Sequence, residues 1–423
     1  MKNSRRQFIK IGGLTIAGTG IVQAFISACS GEKQGPDSTT VFNNMVKDVV
    51  PPEHADYFGR VENARRALSE NMIDAIFIEG GTNMKYFFNI SWWLSERVFG
   101  AIIPAKGKTI WICPAFETER ARELIGENEK IYTWEEHESP FKLMRTMIKD
   151  LGISSGKLAM DPNVRSFVVE GFMRDAGIRI VDGSVVTESV RAIKTKKEIG
   201  YMDLANRITK LALQYGFSRM HEGMTQRELS SIFGDANSQM GVSGGGYPGF
   251  GFISAFPHGT SQTRNLVKGD VVLVDSGCTV EGYHSDVTRS VIFGPPSDRQ
   301  KKIFEVVLKA QQAAFKAARP GNACGDVDFA ARKVMEDSGF GPGYKYFAHR
   351  LGHGIGLDVH EYPYLVKDNP LIIKPGMTFT NEPGIYLYGE LGIRIEDSFA
   401  VGEDGPFVLG GMQTEAIDKP FGA

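Results

Sequence analysis

At 423 residues the chain is longer than one ordinary hydrophobic core supports, so two domains are expected. Charged residues at 23% and hydrophobic residues at 42% describe a folded globular chain and exclude a disordered or wholly membrane-embedded one. A formal charge of −2 is modest and implies no nucleic-acid partner.

Residues 1–29 have a character of their own. Ser4-Arg5-Arg6-Gln7-Phe8-Ile9-Lys10 resembles a twin-arginine export signal, followed by a Gly-rich apolar run from Ile11 to Ala28. A weakly hydrophobic run of this length suits a signal better than a permanent span. It ends in Ile26-Ser27-Ala28-Cys29, which resembles a lipobox and predicts lipidation of Cys29 in an exported, periplasmic or otherwise extracytoplasmic lipoprotein. Cleavage would remove Lys2, Arg5, Arg6 and Lys10 and no acid, moving the formal charge from −2 to −6. Residues 30–56 are expected to form a tether. Of the remaining cysteines, Cys113, Cys278 and Cys324 match no zinc spacing and read as small buried thiols.

Residues 57–190 alternate short apolar runs with amphipathic stretches. Phe58–Asn71, Phe141–Leu151 and Ser166–Ala176 are expected helices. Ala75–Ile78, Val98–Ile103, Thr109–Ile112, Lys157–Met160 and Ile178–Val181 are expected strands, which makes an α/β domain. All four tryptophans lie here, and Tyr86-Phe87-Phe88 with Trp92-Trp93 read as core. No cluster of His and carboxylates falls in this part, so it is expected to shape access or assemble an oligomer.

Residues 191–423 open on a long helix to about Met220 and a second beginning at Thr225, where Glu228 completes capping-box spacing. Val242–Gly251 is Gly-rich without a phosphate-loop pattern and is expected as a turn-rich connection. The aliphatic run Val271-Val272-Leu273-Val274 then reads as a buried strand ending at Asp275. Val280–Tyr283 makes a turn, and Asp286 opens the next apolar segment. Helices follow near Asp298–Ala318 and Asp326–Ser338, then the Gly-flanked His353, then apolar runs at Gly376–Ile385 and Gly392–Val401. Two helices and an acid-bearing strand pair thus occur twice, which suggests two similar halves around one centre.

An ionised carboxylate beside a buried strand is costly unless paired or bound to a metal. Asp275, Asp286, Glu382 and Glu396 are four such acids in one half of the chain, and His353 is the obvious nitrogen donor. Four negative charges with one imidazole match two divalent cations, and this mostly oxygen donor set favours manganese, cobalt, iron or zinc over a thiolate-type site.

From about residue 190 to 415 the chain resembles the metallopeptidase family that includes methionine aminopeptidase, prolidase and Xaa-Pro aminopeptidase, and with its N-terminal domain it resembles the M24B branch of the latter two. The resemblance rests on Pro257-His258-Gly259, Val274-Asp275-Ser276-Gly277, Asp286-Val287-Thr288-Arg289, Gly352 to Glu361, Asn381 to Tyr386 and Arg394-Ile395-Glu396-Asp397. It implies an α+β "pita-bread" catalytic domain with a pseudo-two-fold repeat, behind a creatinase-type α/β domain. Asp275, Asp286, His353, Glu382 and Glu396 match the five ligands of a dinuclear metal site. His258 and His360 match histidines that contact the substrate, and Arg394 an arginine that steadies a ligand carboxylate. Glu382 is then the expected proton carrier in hydrolysis of a small peptide with proline at its second position. The resemblance also implies a homodimer. Asn381 departs from the pattern and places an amide beside Glu382. Relatives of this fold that act on creatine or sulfonium compounds keep a non-peptide substrate open as an alternative. A non-catalytic binding module would require broken ligand positions, and none is broken.

Overall fold

The computed structural model describes residues 42–153 and 156–422; the expected signal, Cys29 and the tether up to residue 41 lie outside them. From Phe42 onward the chain is not a tether. Phe42, Met45, Val46 and Val49 pack on the second domain, Met45 donates its N–H to Met240 O at 2.9 Å, and Val50 O accepts from the Tyr201 hydroxyl at 2.6 Å. Four apolar residues at this spacing find a partner surface, and burying them outweighs the entropy of a free linker.

The first domain runs α1 (His54–Glu70), β1 (Ala75–Glu79), α2 (Thr82–Phe88), β2 (Gly100–Pro104), β3 (Ile110–Pro114), α3 (Thr118–Ile125), β4 (Lys130–Trp134), α4 (Pro140–Asp150), β5 (Lys157–Met160), α5 (Ser166–Asp175), β6 (Arg179–Asp182) and α6 (Ser184–Ala192). Its six strands lie in the order β4-β3-β2-β1-β5-β6, with β2 antiparallel to both neighbours. Central β1 is buried on both faces. Ile76 and Ile78 pack with α1 and α2, while Ala75 and Phe77 pack with α4 and α5, as strand alternation requires. Trp92 stacks on Phe99 at 3.7 Å in this core, whereas Trp93 is 83% exposed and belongs to no core.

The second domain begins with α7 (Lys196–Ser218) and α8 (Gln226–Gln239), both opened by Thr/Glu capping boxes, at Thr195 and at the expected Thr225. Strands β7 (Gly244–Phe250), β8 (Val271–Val280), β9 (Tyr283–His284) and β10 (Val287–Ile292) follow. The second set is α9 (Asp298–Ala317), α10 (Cys324–Asp337), β11 (Gly352–Gly354), β12 (Glu361–Leu365), β13 (Thr378–Asn381), β14 (Gly384–Leu387), β15 (Leu391–Arg394), β16 (Asp397–Gly402) and β17 (Gly405–Val408). One sheet has the order β10-β8-β7, with β9 on β8; the other is β12-β11-β13-β16-β17; β14 and β15 form a ribbon. A helix pair and a sheet therefore occur twice, which is the two-halved pita-bread arrangement.

Two expectations change. Val242–Gly251 is mostly the strand β7 and not a connection, because its glycines let it lie close against α8 and β8. A Cβ on Gly246 would sit 2.7 Å from the Phe233 ring. Strand β8 also continues past Asp275 to Val280, where Glu281 and Gly282, at φ +50° and +83°, make the tight hairpin turn.

Candidate active site

Asp275 sits in mid-strand, directly across from Thr288 on β10, and Asp286 lies two residues before Thr288. Val272 and Val274 fill the core on one face of β8, so Asp275 projects from the other. Glu382 follows β13 and is tied by its N–H to Leu351 O at 3.0 Å. Glu396 lies between β15 and β16 and is tied by its N–H to Thr288 O at 3.0 Å. The two halves thus deliver their acids to one cleft.

There the side chains form overlapping triads. Ligand-type atoms of Asp275, Asp286 and Glu396 lie within 4.8 Å of one another, as do those of His353, Glu382 and Glu396. Glu396 belongs to both. A third triad joins Asp286, His353 and His360, so His360 stands closer to the acids than a purely substrate-facing residue needs to. Its ring lies 3.9 Å from that of His353.

The electrostatics of the cleft favour a cation. Burial, then Glu396 and Asp275, push the Asp286 carboxyl well above the usual range; burial and Glu396 do the same to Glu382. Burial and Asp275 raise Glu396 to about 7. His353 is held near 3 by burial and by His360. Its Nδ1 donates to Gly354 O at 3.0 Å, and a carbonyl only accepts, so Nε2 carries no proton. That bare nitrogen faces Glu382 Oε1 at 3.3 Å and Asp286 Oδ2 at 3.6 Å. A lone pair aimed at acid oxygens is repulsive between them alone and favourable around a divalent cation, so the donor set fits the metals it implies.

Arg394 braces this cluster from behind. Its Nη2 donates to Asp275 Oδ2 at 2.6 Å, its Nε to Thr288 Oγ1 at 2.9 Å, and its Nη1 to Pro257 O at 3.0 Å and to the Tyr386 hydroxyl at 3.2 Å. Thr288 in turn donates to Glu396 Oε2 at 2.6 Å. Tyr386 donates onward to His349 Nε2 at 2.8 Å, while His349 Nδ1 donates to Arg350 O at 2.8 Å and lies 3.7 Å from Glu382 Oε2. His349 and Tyr386 are site residues that sequence reasoning passed over. The four-residue spacing of His349 and His353 was the one available hint.

His258 is exposed in the loop after a short 3-10 turn (Gly251–Ala255), at a cavity of about 1000 Å³ whose lining includes Asp275, Tyr247, Ser230 and Thr260. His360 is held through its neighbour: Glu361 is buried and accepts from Lys194 Nζ at 2.5 Å, on the segment joining the domains, and from Arg191 at the end of α6. Asn381 is not in the site. It alternates with Glu382 to the opposite side of β13, where its amide donates to Gln311 O on α9 at 2.9 Å. Cys113, Cys278 and Cys324 are buried and free, as expected of packing thiols.

Two family models match the chain: Creatinase/Prolidase N-terminal domain over residues 60–193 and Metallopeptidase family M24 over residues 200–403. A putative dipeptidase of Bacillus subtilis is 33% identical over 83% of this chain and 97% of its own length. The chain belongs to metallopeptidase family M24. The solved dipeptidase of Mycobacterium ulcerans superposes with a TM-score of 0.80 at 30% identity, over 85% of this chain and 97% of that one. An Xaa-Pro dipeptidase from Bacillus anthracis gives 0.74 at 28% identity, over 85% and 99%. The protein is accordingly a hydrolase, a peptidase with the two-domain architecture of these relatives, and members of its family use divalent metals.

Proposed function

We propose that the protein is a dinuclear-metal Xaa-Pro peptidase that releases the residue preceding proline from a small peptide. The observation that carries this is the pair of triads sharing Glu396, four acids and an unprotonated His353 nitrogen converging on one cleft. Asp275, Asp286 and Glu396 would hold one cation, and His353, Glu382 and Glu396 the other, with manganese favoured over cobalt, zinc or iron for this oxygen-rich set. Bound there, divalent cations supply Lewis acidity and lower the pKa of water at the site.

The chain's own residues account for the remainder. Glu382 has a raised proton affinity and accepts from Thr380 Oγ1 at 3.2 Å, so its free oxygen is placed to take a proton and return it to the leaving nitrogen. A prolyl nitrogen is a tertiary amide and leaves poorly without that proton. His258 and His360 flank the position of the scissile carbonyl, and Arg394 keeps Asp275 aimed at the centre. The acids also attract a free N-terminal ammonium, which confines cleavage to chain ends. Metal-loaded protein should hydrolyse Xaa-Pro peptides and leave Xaa-Ala peptides, creatine and sulfonium compounds unchanged. Turnover of the latter compounds in place of the proline peptides would overturn the reading.

The same proposal places the enzyme outside the cytoplasm, exported through its twin-arginine signal, lipidated on Cys29 and paired as a homodimer, as the sequence resemblances imply. Labelled palmitate should enter the wild-type chain and not Cys29→Ser, and sedimentation should give twice the chain mass.

A further inference from the structure

His360 differs from His349 and His353 in how it is aimed. Both ring nitrogens of His349 and Nδ1 of His353 are bound by the protein. Among the described residues the His360 ring makes no hydrogen bond, only its ring contact with His353 at 3.9 Å. Two free nitrogens suit a group that meets substrate, but they leave the direction of the ring to its backbone. That backbone belongs to the loop between β11 and β12, which comes to the surface at Val359 and His360, so the loop's anchors decide where the imidazole stands.

Those anchors come largely from the first domain. Asp358 and Glu361 bracket His360, two residues before it and one after. Thr82 Oγ1, at the start of α2, donates to Asp358 Oδ1 at 2.6 Å. Arg191 Nη2, near the end of α6, donates to Asp358 Oδ2 at 2.8 Å and to Glu361 Oε2. Arg191 Nη1 donates to Asn83 Oδ1 at 3.0 Å, and Asn83 Nδ2 to the buried Asp161 at 2.6 Å, which fixes the guanidinium from behind. Both oxygens of Asp358 are thus spent on one domain while its backbone belongs to the other. The fit is close: a Cβ on Gly356 would sit 2.6 Å from Glu361 Oε1 and 3.0 Å from Lys194 Cε. A guanidinium that grips carboxylates on both sides of one residue fixes position and direction together, as a point charge does not.

Such a cluster adds little stability. The desolvation of a buried ion pair largely offsets its attraction, and the Asp358 side chain is 37% exposed, where an ion pair is weak. Its use is geometric. We infer that Asp358 is a positioning residue through which the first domain, by Thr82 and Arg191, aims His360 at the scissile bond. The inference rests on the Xaa-Pro reading, in which His360 flanks the scissile carbonyl. It gives the first domain, which supplies no side chain to the triads, a part in the rate of the chemical step.

The test is steady-state cleavage of one Xaa-Pro peptide by the full, metal-loaded chain. Asp358→Ala should lower kcat by roughly 10- to 100-fold with KM within about threefold, at unchanged metal content and melting temperature, because lost aim is felt in the transition state. Thr82→Val repeats the test from the other side of the contact and should lower kcat by a smaller factor. Thr82→Ser keeps the hydroxyl and should restore the wild-type rate. A double-mutant cycle separates aim from general damage. With His360 removed there is nothing left to aim, so Asp358→Ala should cost less than about threefold in a His360→Ala background. An equal loss in both backgrounds, a loss that follows metal content, or a wild-type kcat in both Asp358→Ala and Thr82→Val would overturn the role of Asp358 while leaving the Xaa-Pro reading intact. Failure of wild type to cleave any Xaa-Pro peptide would overturn both.

Discussion

Glu396 and Asp397 are consecutive and both buried, yet they are opposites. Burial and Asp275 raise the Glu396 carboxyl to about 7. Burial would raise Asp397 too, but Arg289 and Lys210 outweigh it and hold that carboxyl below its ordinary range. Strand alternation sends one forward into the cleft and the other back, where Arg289 Nη2 lies at 2.8 Å, Lys210 Nζ at 2.7 Å and Gln311 Nε2 at 3.2 Å. On the rear face the chain supplies every counter-charge. On the front face it supplies Arg394 against four acids. Burial alone does not mark a functional acid; burial without compensation does.

The largest effect that could break this contrast is on turnover. Glu382→Gln should lower kcat by about 10²- to 10⁴-fold with an unchanged circular dichroism spectrum. A rate near wild type would remove Glu382 from proton transfer. On the rear face the loss should be in stability. Asp397→Ala strands Lys210 and Arg289, both almost wholly enclosed, and should cost about 3–5 kcal/mol in urea unfolding. Glu396→Gln relieves crowding and should stabilise the metal-free protein, so equal losses in the two variants would contradict the contrast.

Asp161, in the first domain, sharpens the comparison. It is buried with Asn83 Nδ2 at 2.6 Å, and burial raises it to about 6. A carboxyl raised in the fold binds more protons there than in the unfolded chain, so stability should fall as pH rises from about 4 to 6, by at most about 3 kcal/mol. Asp161→Asn should flatten that slope without touching metal content. The smallest effect is on Thr288, whose hydroxyl joins Arg394 to Glu396. Thr288→Val should weaken metal binding by about 10- to 100-fold while the protein stays folded, as competition with a chelating dye would report.

Much of this was legible in the sequence because charge in an apolar run is conspicuous. Asp275, Asp286, Glu382 and Glu396 declared themselves by cost alone, and Thr225 with Glu228 by capping chemistry. What escaped notice has a physical reason in each case. Strand β7 was hidden by glycines, which lack the side chains that make period-two alternation visible. The side on which Asn381 falls depends on the phase of β13, which spacing from Glu382 could have fixed had the strand's end been known. His349 and Tyr386 carry no charge, so nothing in their setting looks expensive until Arg394 is seen to reach them. The packed segment at Phe42 and Met45 was masked by the polar stretch just before it.

Elemental analysis of the purified protein, before and after dialysis against a chelator, tests the central claim most directly when paired with cleavage of an Xaa-Pro dipeptide. Two divalent ions per chain, lost together with activity and restored together with it, are the result that uncompensated acids around Glu396 predict. Full activity in protein stripped of metal, or wild-type metal content in a Glu396→Ala chain, would contradict it.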